Sequence, residues 1–224
     1  GRLAAMRGLR SRWLFVAGLH AVVLLEKAVL EWSPGSVVPA LPESGSGIDA
    51  ALRPSTVSMP ALACVTGGLP LLLLGATDHS LEISAAAVAT SFGMSEIATV
   101  VLKAAVGRPR PNALALLRKG GHRALEARRS FPSGHSSAAM AGCAVATLKL
   151  LQRPKNPAWR PLALLPFACA CAVGASRIMD RWHHPSDVAA GLAIGMLAAW
   201  LSLRVHGAPL ANQPKPLAPG LSLQ

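Results

Sequence analysis

The stretch S-M-P-A-L-A-C-V-T-G-G-L-P-L-L-L-L-G-A occupies residues 58–76 and contains no charged side chain. An apolar run of about 20 residues matches an α-helix that crosses the hydrocarbon core of a bilayer. The rest of the chain agrees with that interpretation, because 52% of its 224 residues are hydrophobic and only 14% are charged. Soluble domains carry about 25% charged residues. The sequence therefore predicts a membrane protein rather than a soluble or disordered chain.

Five further apolar segments are present, at residues 13–30, 83–106, 135–151, 161–175 and 188–203. Together with residues 58–76 they predict an all-α fold, a polytopic membrane bundle of six transmembrane helices. We expect one domain over residues 1–224, with a core at about 58–205 and a loose tail at 207–224 that contains four prolines.

The last three segments are short enough to be core helices of a soluble bundle. They are apolar on every face, however, as expected of helices that contact lipid. They are also rich in the small residues that allow close helix packing in membranes. The first segment follows Arg2, Arg7, Arg10 and Arg12 and resembles a signal peptide. We expect a membrane helix instead, because no cleavage site stands out and more apolar segments follow.

The formal net charge of +12 favours partners that carry phosphate or anionic lipid headgroups. Nucleic acid is disfavoured as a partner, because the chain has four Phe, five Trp and no Tyr to stack on exposed bases. The predicted partners are therefore membrane lipids and a phosphate-bearing ligand. The positions of His, Cys and Asp show no metal-ligand spacing, so we predict no metal site and no cofactor.

The long loop at residues 107–132 is unusually basic. With a cytoplasmic N-terminus, the order of the predicted spans puts this loop on the outer face. Basic residues are normally enriched in cytoplasmic loops, so an outer basic loop needs another explanation, which an anion-binding site supplies. Its basic residues are Arg108, Arg110, Arg118, Lys119, Arg123, Arg128 and Arg129. The sequence therefore predicts an integral membrane protein whose site lies on the extracytoplasmic or lumenal face.

Three polar blocks are predicted to build that site. They read K-A-A-V-G-R-P-R-P at residues 103–111, F-P-S-G-H at 131–135, and S-R-I-M-D-R-W-H-H-P-S-D at 176–187. Lys103 and Arg110 flank a helix-ending turn and can surround a tetrahedral anion, Arg with a planar fork and Lys with a point charge.

The second and third blocks supply the other groups. Ser133 and Gly134 lead into a helix, whose first backbone N–H groups have no intrahelical acceptor and can bind an anion. His183 and Asp187 are four residues apart, so the carboxylate can reach one ring nitrogen of the histidine and leave the other as a nucleophile. His135 can then protonate a leaving oxygen. Ser133 is also a natural helix N-cap, and His184 is expected to be structural.

The three blocks resemble the signature of the type 2 phosphatidic acid phosphatase (PAP2) superfamily, K-x6-R-P, then P-S-G-H, then S-R-x5-H-x3-D. The surrounding residues look most like eukaryotic lipid phosphate phosphatases. Every position of the signature is filled, by Lys103, Arg110, Pro111, Pro132, Ser133, Gly134, His135, Ser176, Arg177, His183 and Asp187.

The resemblance implies metal-independent hydrolysis of lipid phosphate monoesters, such as phosphatidate and lysophosphatidate, through a phosphohistidine. His183 would attack phosphorus, Asp187 would orient it, and His135 would protonate the departing alcohol. The phosphate-binding residues would be Lys103, Arg110, Ser133, Gly134 and Arg177. Three alternatives remain open: a polyprenyl diphosphate or phosphatidylglycerophosphate phosphatase, a vanadate-dependent haloperoxidase, and a non-catalytic lipid-binding membrane protein.

Overall fold

The computed structural model describes residues 2–32, 47–77, 81–152 and 159–206, and the regular secondary structure within these ranges is helical. The elements are α1 (Arg2–Trp32), α2 (Met59–Ala63), a π-helical turn (Cys64–Gly68), α3 (Leu69–Gly75), α4 (Leu81–Val106), α5 (Ala113–Lys119), α6 (Gly121–Glu126), α7 (Gly134–Leu151), α8 (Trp159–Met179) and α9 (Pro185–Val205). The predicted all-α class is confirmed. The predicted loose tail at 207–224 lies outside the described residues.

Three of the described helices are long and apolar enough to cross a membrane: α4, the Pro161–Met179 part of α8, and α9. The helical rod Met59–Gly75, which joins α2, the π-helical turn and α3, is apolar but shorter. Each apolar segment of the sequence lies within a helix or within this rod, but the count of six spans stays a prediction.

Helix α7 occupies the centre of the bundle. It packs against α3, α4, α8 and α9, and its side chains are buried almost throughout, from Ser136 to Thr147. The expectation that this segment contacts lipid is therefore wrong for α7, whose apolar faces meet other helices instead. Helices α8 and α9 do expose large apolar side chains, among them Leu164, Leu165 and Leu197.

Two glycines of α9 allow its backbone to approach α7. A Cβ atom at Gly191 would lie 2.5 Å from the carbonyl oxygen of Ser133, and one at Gly195 would lie 2.4 Å from that of Ser137. Such distances are closer than van der Waals contact, so only glycine fits at either position. Small residues at a helix interface were predicted from the sequence, and here they bring the start of α9 against the start of α7.

The segment before α2 (residues 47–58) and the two short helices α5 and α6 form a layer over one end of the bundle. Ile48 is buried against Leu116 and Ala127, and we refer to residues 47–58 as the pre-α2 segment. Its backbone is joined to the start of α5 by two hydrogen bonds, from Ala50 N to Pro111 O at 2.8 Å and from Leu114 N to Ile48 O at 3.2 Å. Residues 107–132 were expected to be a basic loop, but they contain the short helices α5 and α6. The leucines of α5 pack in this layer.

Candidate active site

Four helix ends meet beneath this layer. Lys103 lies in the last turn of α4, Gly134 begins α7, Arg177 lies in the last turn of α8, and Asp187 lies in the first turn of α9. They surround a cavity of about 830 Å³. Six of the predicted residues line it, namely Lys103, Arg110, Gly134, His135, Arg177 and His183. The other two, Asp187 and Ser133, are fully buried and support the residues of the lining.

His183 is held as a neutral imidazole. Its Nδ1–H donates a hydrogen bond to the carbonyl oxygen of Ser130 at 2.8 Å, so the lone pair of the ring lies on Nε2. Burial, together with the positive charges of Arg110 and Lys103, lowers the pKa of His183 to about 3, although Asp187 opposes the shift. At neutral pH the side chain therefore has a nitrogen that can act as a nucleophile.

The predicted hydrogen bond between Asp187 and His183 is not formed, because the carboxylate Oδ2 lies 3.8 Å from Nδ1. Asp187 is the third residue of α9, and its carboxylate turns back to accept the backbone N–H of His184 at 2.9 Å, as in a capping box. The hydroxyl of Ser130 donates to the same carboxylate oxygen at 2.6 Å. Ser130 therefore bridges the carboxylate and the imidazole, and His184, at the N-cap position of α9, also contacts Asp187 through its ring Nδ1 at 3.2 Å.

Arg108 completes the surroundings of Asp187. Its guanidinium lies 2.7 Å from the carboxylate Oδ1 and donates to the hydroxyl of Ser186 at 2.6 Å. Arg108 was predicted only as one of the basic residues of the loop, and Ser130 was not predicted as a site residue. The signal for Arg108 was present in G-R-P-R-P, where it stands two residues before Arg110.

Arg110 binds an internal carboxylate. Its guanidinium forms an ion pair with the side chain of Glu126, and its Nε donates to the Glu126 carbonyl oxygen at 2.8 Å. The same guanidinium lies 5.3 Å from the ring centroid of Trp182, a distance typical of a cation–π contact. Lys103 is fixed by a 2.8 Å hydrogen bond from Nζ to the carbonyl oxygen of Arg129. Glu126 was not predicted from the sequence.

Arg177 is held by groups from two distant parts of the chain. Its guanidinium donates to the carboxylate of Asp180 at 2.9 Å and to the hydroxyl of Ser55 at 2.7 Å. Asp180 also accepts two hydrogen bonds from Thr56, from the backbone N at 2.8 Å and from Oγ1 at 2.6 Å. Ser55, Thr56 and Asp180 were not predicted as site residues. The hydrogen bonds from Arg177 to Ser55 and from Thr56 to Asp180 join residues 122 and 124 positions apart, which local spacing does not indicate.

Ser133 is fully buried and is not among the residues that line the cavity, so its assignment to phosphate binding stays a prediction. Its backbone N–H donates to the carbonyl oxygen of Asp187 at 2.9 Å, and its hydroxyl accepts a hydrogen bond from Ser136 at 2.9 Å. It occupies the N-cap position of α7 without a side-chain cap hydrogen bond. The amides of Gly134 and His135, in the first turn of α7, are then the backbone groups that can bind an anion.

The cavity combines cationic side chains, amides at the start of α7 and two histidines. Lys103, Arg110 and Arg177, the three cations predicted for the site, suit an anion with several oxygens, such as phosphate, and Arg53, Lys119 and Arg123 also line the cavity. Within the part of the chain that the structure describes, no group of three His, Cys, Asp or Glu side chains is placed to hold a metal ion. The chemistry that this arrangement can perform is nucleophilic attack by a neutral imidazole on a bound phosphoryl group.

Comparison with known proteins identifies the family. The chain is 38% identical over 125 residues to lipid phosphate phosphatase 1 of Arabidopsis thaliana, covering 46% of this chain and 38% of the relative. It is 33% identical over 135 residues to the probable diacylglycerol pyrophosphate phosphatase 1 of Schizosaccharomyces pombe, covering 49% and 48%. It is 40% identical over 109 residues to lipid A 1-phosphatase of Rhizobium johnstonii, covering 46% and 38%. The chain spans less than half the length of each of these three relatives. The model of the PAP2 superfamily matches residues 84–209, which include all three polar blocks, and the chain therefore belongs to the PAP2 superfamily.

Proposed function

We propose that the protein is a membrane phosphatase that hydrolyses lipid phosphate monoesters, with phosphatidate as the reference substrate, through a phosphohistidine on His183. The observation that carries this proposal is the neutral, buried imidazole of His183 in the wall of a cavity that it shares with Lys103, Arg110 and Arg177. A binding-only site needs the cations but has no use for a nucleophile. The names of the three relatives, each a phosphatase with a lipid substrate, support the same reaction class.

The reaction has two steps. In the first, Nε2 of His183 attacks phosphorus, the bond between phosphorus and the ester oxygen breaks, and His135, which takes up a proton when the phosphate dianion binds beside it, gives that proton to the departing alcohol. In the second, water attacks the phosphohistidine and gives one proton to His135, the P–N bond breaks, and inorganic phosphate is released. The Ser130 carbonyl keeps the proton of His183 on Nδ1 in the resting state, and the nearby carboxylate of Asp187 stabilises positive charge on the ring as it reacts.

The cations hold the oxygens that surround phosphorus. Charge spreads over these oxygens in the transition state, so fixed positive groups around them lower the barrier. Lys103, Arg110 and Arg177 enter the cavity from three different elements, and the amide of Gly134 adds a fourth direction. These groups bind the phosphoryl oxygens in our scheme, and no metal ion takes part.

The test is phosphate release by purified protein in detergent. We expect hydrolysis of phosphatidate in the presence of EDTA, and complete loss of activity in His183→Ala. The matched control is His20→Ala on α1, where Nδ1 contacts the backbone oxygen of Val16 at 2.9 Å and the ring stacks on Phe92. His20 is not among the residues that line the cavity. Activity that requires added magnesium, or that survives in His183→Ala, would contradict the proposal.

A second candidate is a lipid diphosphate phosphatase. Lys119 and Arg123, from α5 and α6, also line the cavity and could bind a second phosphate group beyond the three cations. A panel of phosphatidate, diacylglycerol pyrophosphate and polyprenyl diphosphate separates the two candidates. The double variant Lys119→Gln/Arg123→Gln should lower kcat/KM for the diphosphates more than for phosphatidate if a second phosphate is bound there.

We place the protein in the membrane through six spans, with the cavity on the extracytoplasmic or lumenal face. The support is the apolar character of α4, α8 and α9 and the basic residues of 107–132, which violate the usual distribution unless they serve the site. Arg123→Cys, in a background without the four native cysteines, should react with a membrane-impermeant maleimide added outside sealed cells or vesicles. Labelling only after permeabilisation would reverse the orientation.

A further inference from the structure

The pre-α2 segment forms one wall of the cavity. Leu52, Pro54, Ser55 and Val57 line it, and Met59 at the start of α2 continues the same wall. The PAP2 superfamily model matches residues 84–209, so this wall comes from a part of the chain that precedes the match. The cations and histidines on the opposite side of the cavity all lie within the matched region. The cavity is thus lined on one side by residues within the matched region and on the other by residues that precede it.

The pre-α2 segment is attached to the turn after α8 at several points. The indole Nε1–H of Trp182 donates to the carbonyl oxygen of Arg53 at 3.1 Å, and the guanidinium of Arg53 donates to the carbonyl oxygen of Met179 at 3.2 Å. The strongest attachment is the pair of hydrogen bonds from Thr56 to Asp180, since an ionised acceptor strengthens both bonds. These contacts hold the wall at a fixed distance from the cations.

Asp180 connects this wall to the phosphate-binding side. One of its carboxylate oxygens, Oδ2, accepts hydrogen bonds from both Arg177 and the backbone of Thr56. Ser55, the neighbour of Thr56, accepts a hydrogen bond from the same arginine. A single buried carboxylate therefore contacts both the wall and Arg177.

The chemistry of the wall differs from that of the opposite side. Leu52, Val57 and Met59 present apolar surface to the cavity, beside the polar side chains of Arg53, Ser55 and Ser58, and Met59 is 67% exposed at the start of the apolar rod Met59–Gly75. Lys103, Arg110 and Arg177 face the same space. A ligand that fills the cavity must therefore carry a phosphate at one end and apolar groups beside it, which describes a lipid phosphate better than a sugar phosphate.

We propose that the pre-α2 segment is the specificity-determining wall of the site, which binds the apolar part of the substrate next to the phosphate. Asp180 is its positioning residue and acts through Thr56. This inference rests on the proposed function for the identity of the ligand, but it concerns selectivity rather than turnover. It can therefore be tested by binding, whether or not the protein hydrolyses the ligand.

The experiment compares two ligands, dihexanoyl phosphatidate and inorganic phosphate, by isothermal titration with the full chain in detergent. Phosphatidate is titrated as its phosphonate analogue, in which a methylene group replaces the ester oxygen, so that it is not hydrolysed during the titration. Thr56→Val removes the bond from Oγ1 to Asp180 and leaves the ion pair between Asp180 and Arg177 in place. We expect phosphatidate to bind about tenfold more weakly, since a hydrogen bond to a charged group is worth about that factor. Binding of inorganic phosphate should change by less than about twofold, because the cations keep their contacts.

Two controls separate this effect from a general disturbance. Thr56→Ser keeps the hydroxyl and should restore phosphatidate binding. Thr77→Val removes a hydroxyl that donates to the carbonyl oxygen of Leu73 at 2.7 Å, at the far end of the α2–α3 rod, and it should affect neither ligand. Met59→Gln should weaken binding of phosphatidate alone, whereas Leu72→Gln, on an exposed apolar position of the same rod, should change neither affinity.

Each outcome decides between the two claims. Wild-type protein that binds phosphatidate without hydrolysing it overturns the proposed function and leaves the inference standing. Equal weakening of both ligands in Thr56→Val, or unchanged binding of both, overturns the inference and leaves the proposed function standing. Wild-type protein that binds phosphatidate no better than inorganic phosphate also overturns the inference, because the wall then contributes nothing to selectivity.

Discussion

Arg110 and Arg177 line the same cavity, and each is paired with a carboxylate, but the two carboxylates are held differently. The side chain of Asp180 is 9% exposed, whereas that of Glu126 is 27% exposed. Asp180 also accepts two hydrogen bonds from Thr56. The second contact of Glu126 with a cation is a longer one, 3.7 Å to the guanidinium of Arg129. The carboxylate that pairs with Arg177 is therefore buried and fixed by hydrogen bonds, whereas the carboxylate that pairs with Arg110 is more accessible to water.

This difference suggests two functions for an acidic residue beside a phosphate-binding arginine. Asp180 orients Arg177 and supports the cavity wall, so it is a permanent part of the site. Glu126 is paired with the guanidinium of Arg110, which also binds the phosphate in the proposed function. An incoming phosphate must therefore share this guanidinium with Glu126 or displace the carboxylate from it. Removing each carboxylate should consequently change anion binding in opposite directions, and the following substitutions test that contrast.

Asp180→Asn should have the largest effect. Breaking a buried ion pair by removing one charge typically costs about 3–5 kcal/mol, and here it also loosens the attachment of Thr56. We expect kcat/KM for phosphatidate to fall about a hundredfold or more, together with a lower midpoint of thermal unfolding. Activity within about threefold of wild type would mean that the pair is not needed to hold Arg177.

Arg108→Gln should have the next largest effect, because it removes the guanidinium that pairs with the buried carboxylate of Asp187. Charge pairs of this kind, with one partner partly exposed, contribute less than fully buried ones. We expect kcat to fall about tenfold with KM nearly unchanged, since Arg108 is not among the residues that line the cavity. Arg108→Lys, which keeps the charge, should recover part of the loss. An increase in KM without a change in kcat would instead assign Arg108 to substrate binding.

Glu126→Gln should act in the opposite direction to Asp180→Asn. The neutral side chain no longer competes with phosphate for Arg110, so inorganic phosphate should inhibit several-fold more strongly, by about the strength of one partly exposed ion pair. The measurement is the inhibition constant of inorganic phosphate during hydrolysis of p-nitrophenyl phosphate. Weaker inhibition would show that Glu126 is needed to orient Arg110, and the contrast between the two carboxylates would then fail.

Arg129→Gln should have the smallest effect. Its guanidinium makes a partly exposed contact with Glu126, and such pairs contribute about 0–1 kcal/mol. Lys103 donates its hydrogen bond to the backbone carbonyl oxygen of residue 129, so this bond survives the substitution. We expect kcat/KM within about threefold of wild type. A loss as large as that of Arg108→Gln would show that the contact with Glu126 matters more than its exposure indicates.

The sequence predicted the parts of this site that are local in the chain. Charged residues stand out in an apolar background, so Lys103, Arg110, Arg177, His135 and His183 could be identified from spacing and type. The helical class followed from the length of the apolar segments. Small residues in α9 likewise predicted close helix packing, as found at Gly191 and Gly195.

The remaining parts depend on contacts between distant segments. Asp180 meets Thr56 across 124 residues, and no periodicity in the sequence indicates that pairing. Ser130 was missed because its contribution to His183 comes from a backbone carbonyl, which every residue has. The central position of α7 was mistaken for lipid exposure, because a helix that is apolar on every face can be enclosed by either lipid or protein. The hydrogen bond predicted between Asp187 and His183 is replaced by a longer contact of 3.8 Å, because the carboxylate caps its own helix.

The most direct test of the central claim is to trap the phosphoenzyme. Wild-type protein mixed with phosphate-labelled p-nitrophenyl phosphate and quenched rapidly in alkali should carry label on His183, located by mass spectrometry of peptides. His183→Ala should carry none. His135→Ala should still be labelled by this substrate, because its acidic leaving group needs little protonation, while hydrolysis of phosphatidate should fall about 10²- to 10⁴-fold. Label on His135, or turnover with no labelled histidine while hydrolysis of the intermediate limits the rate, would contradict the assignment of His183 as the nucleophile.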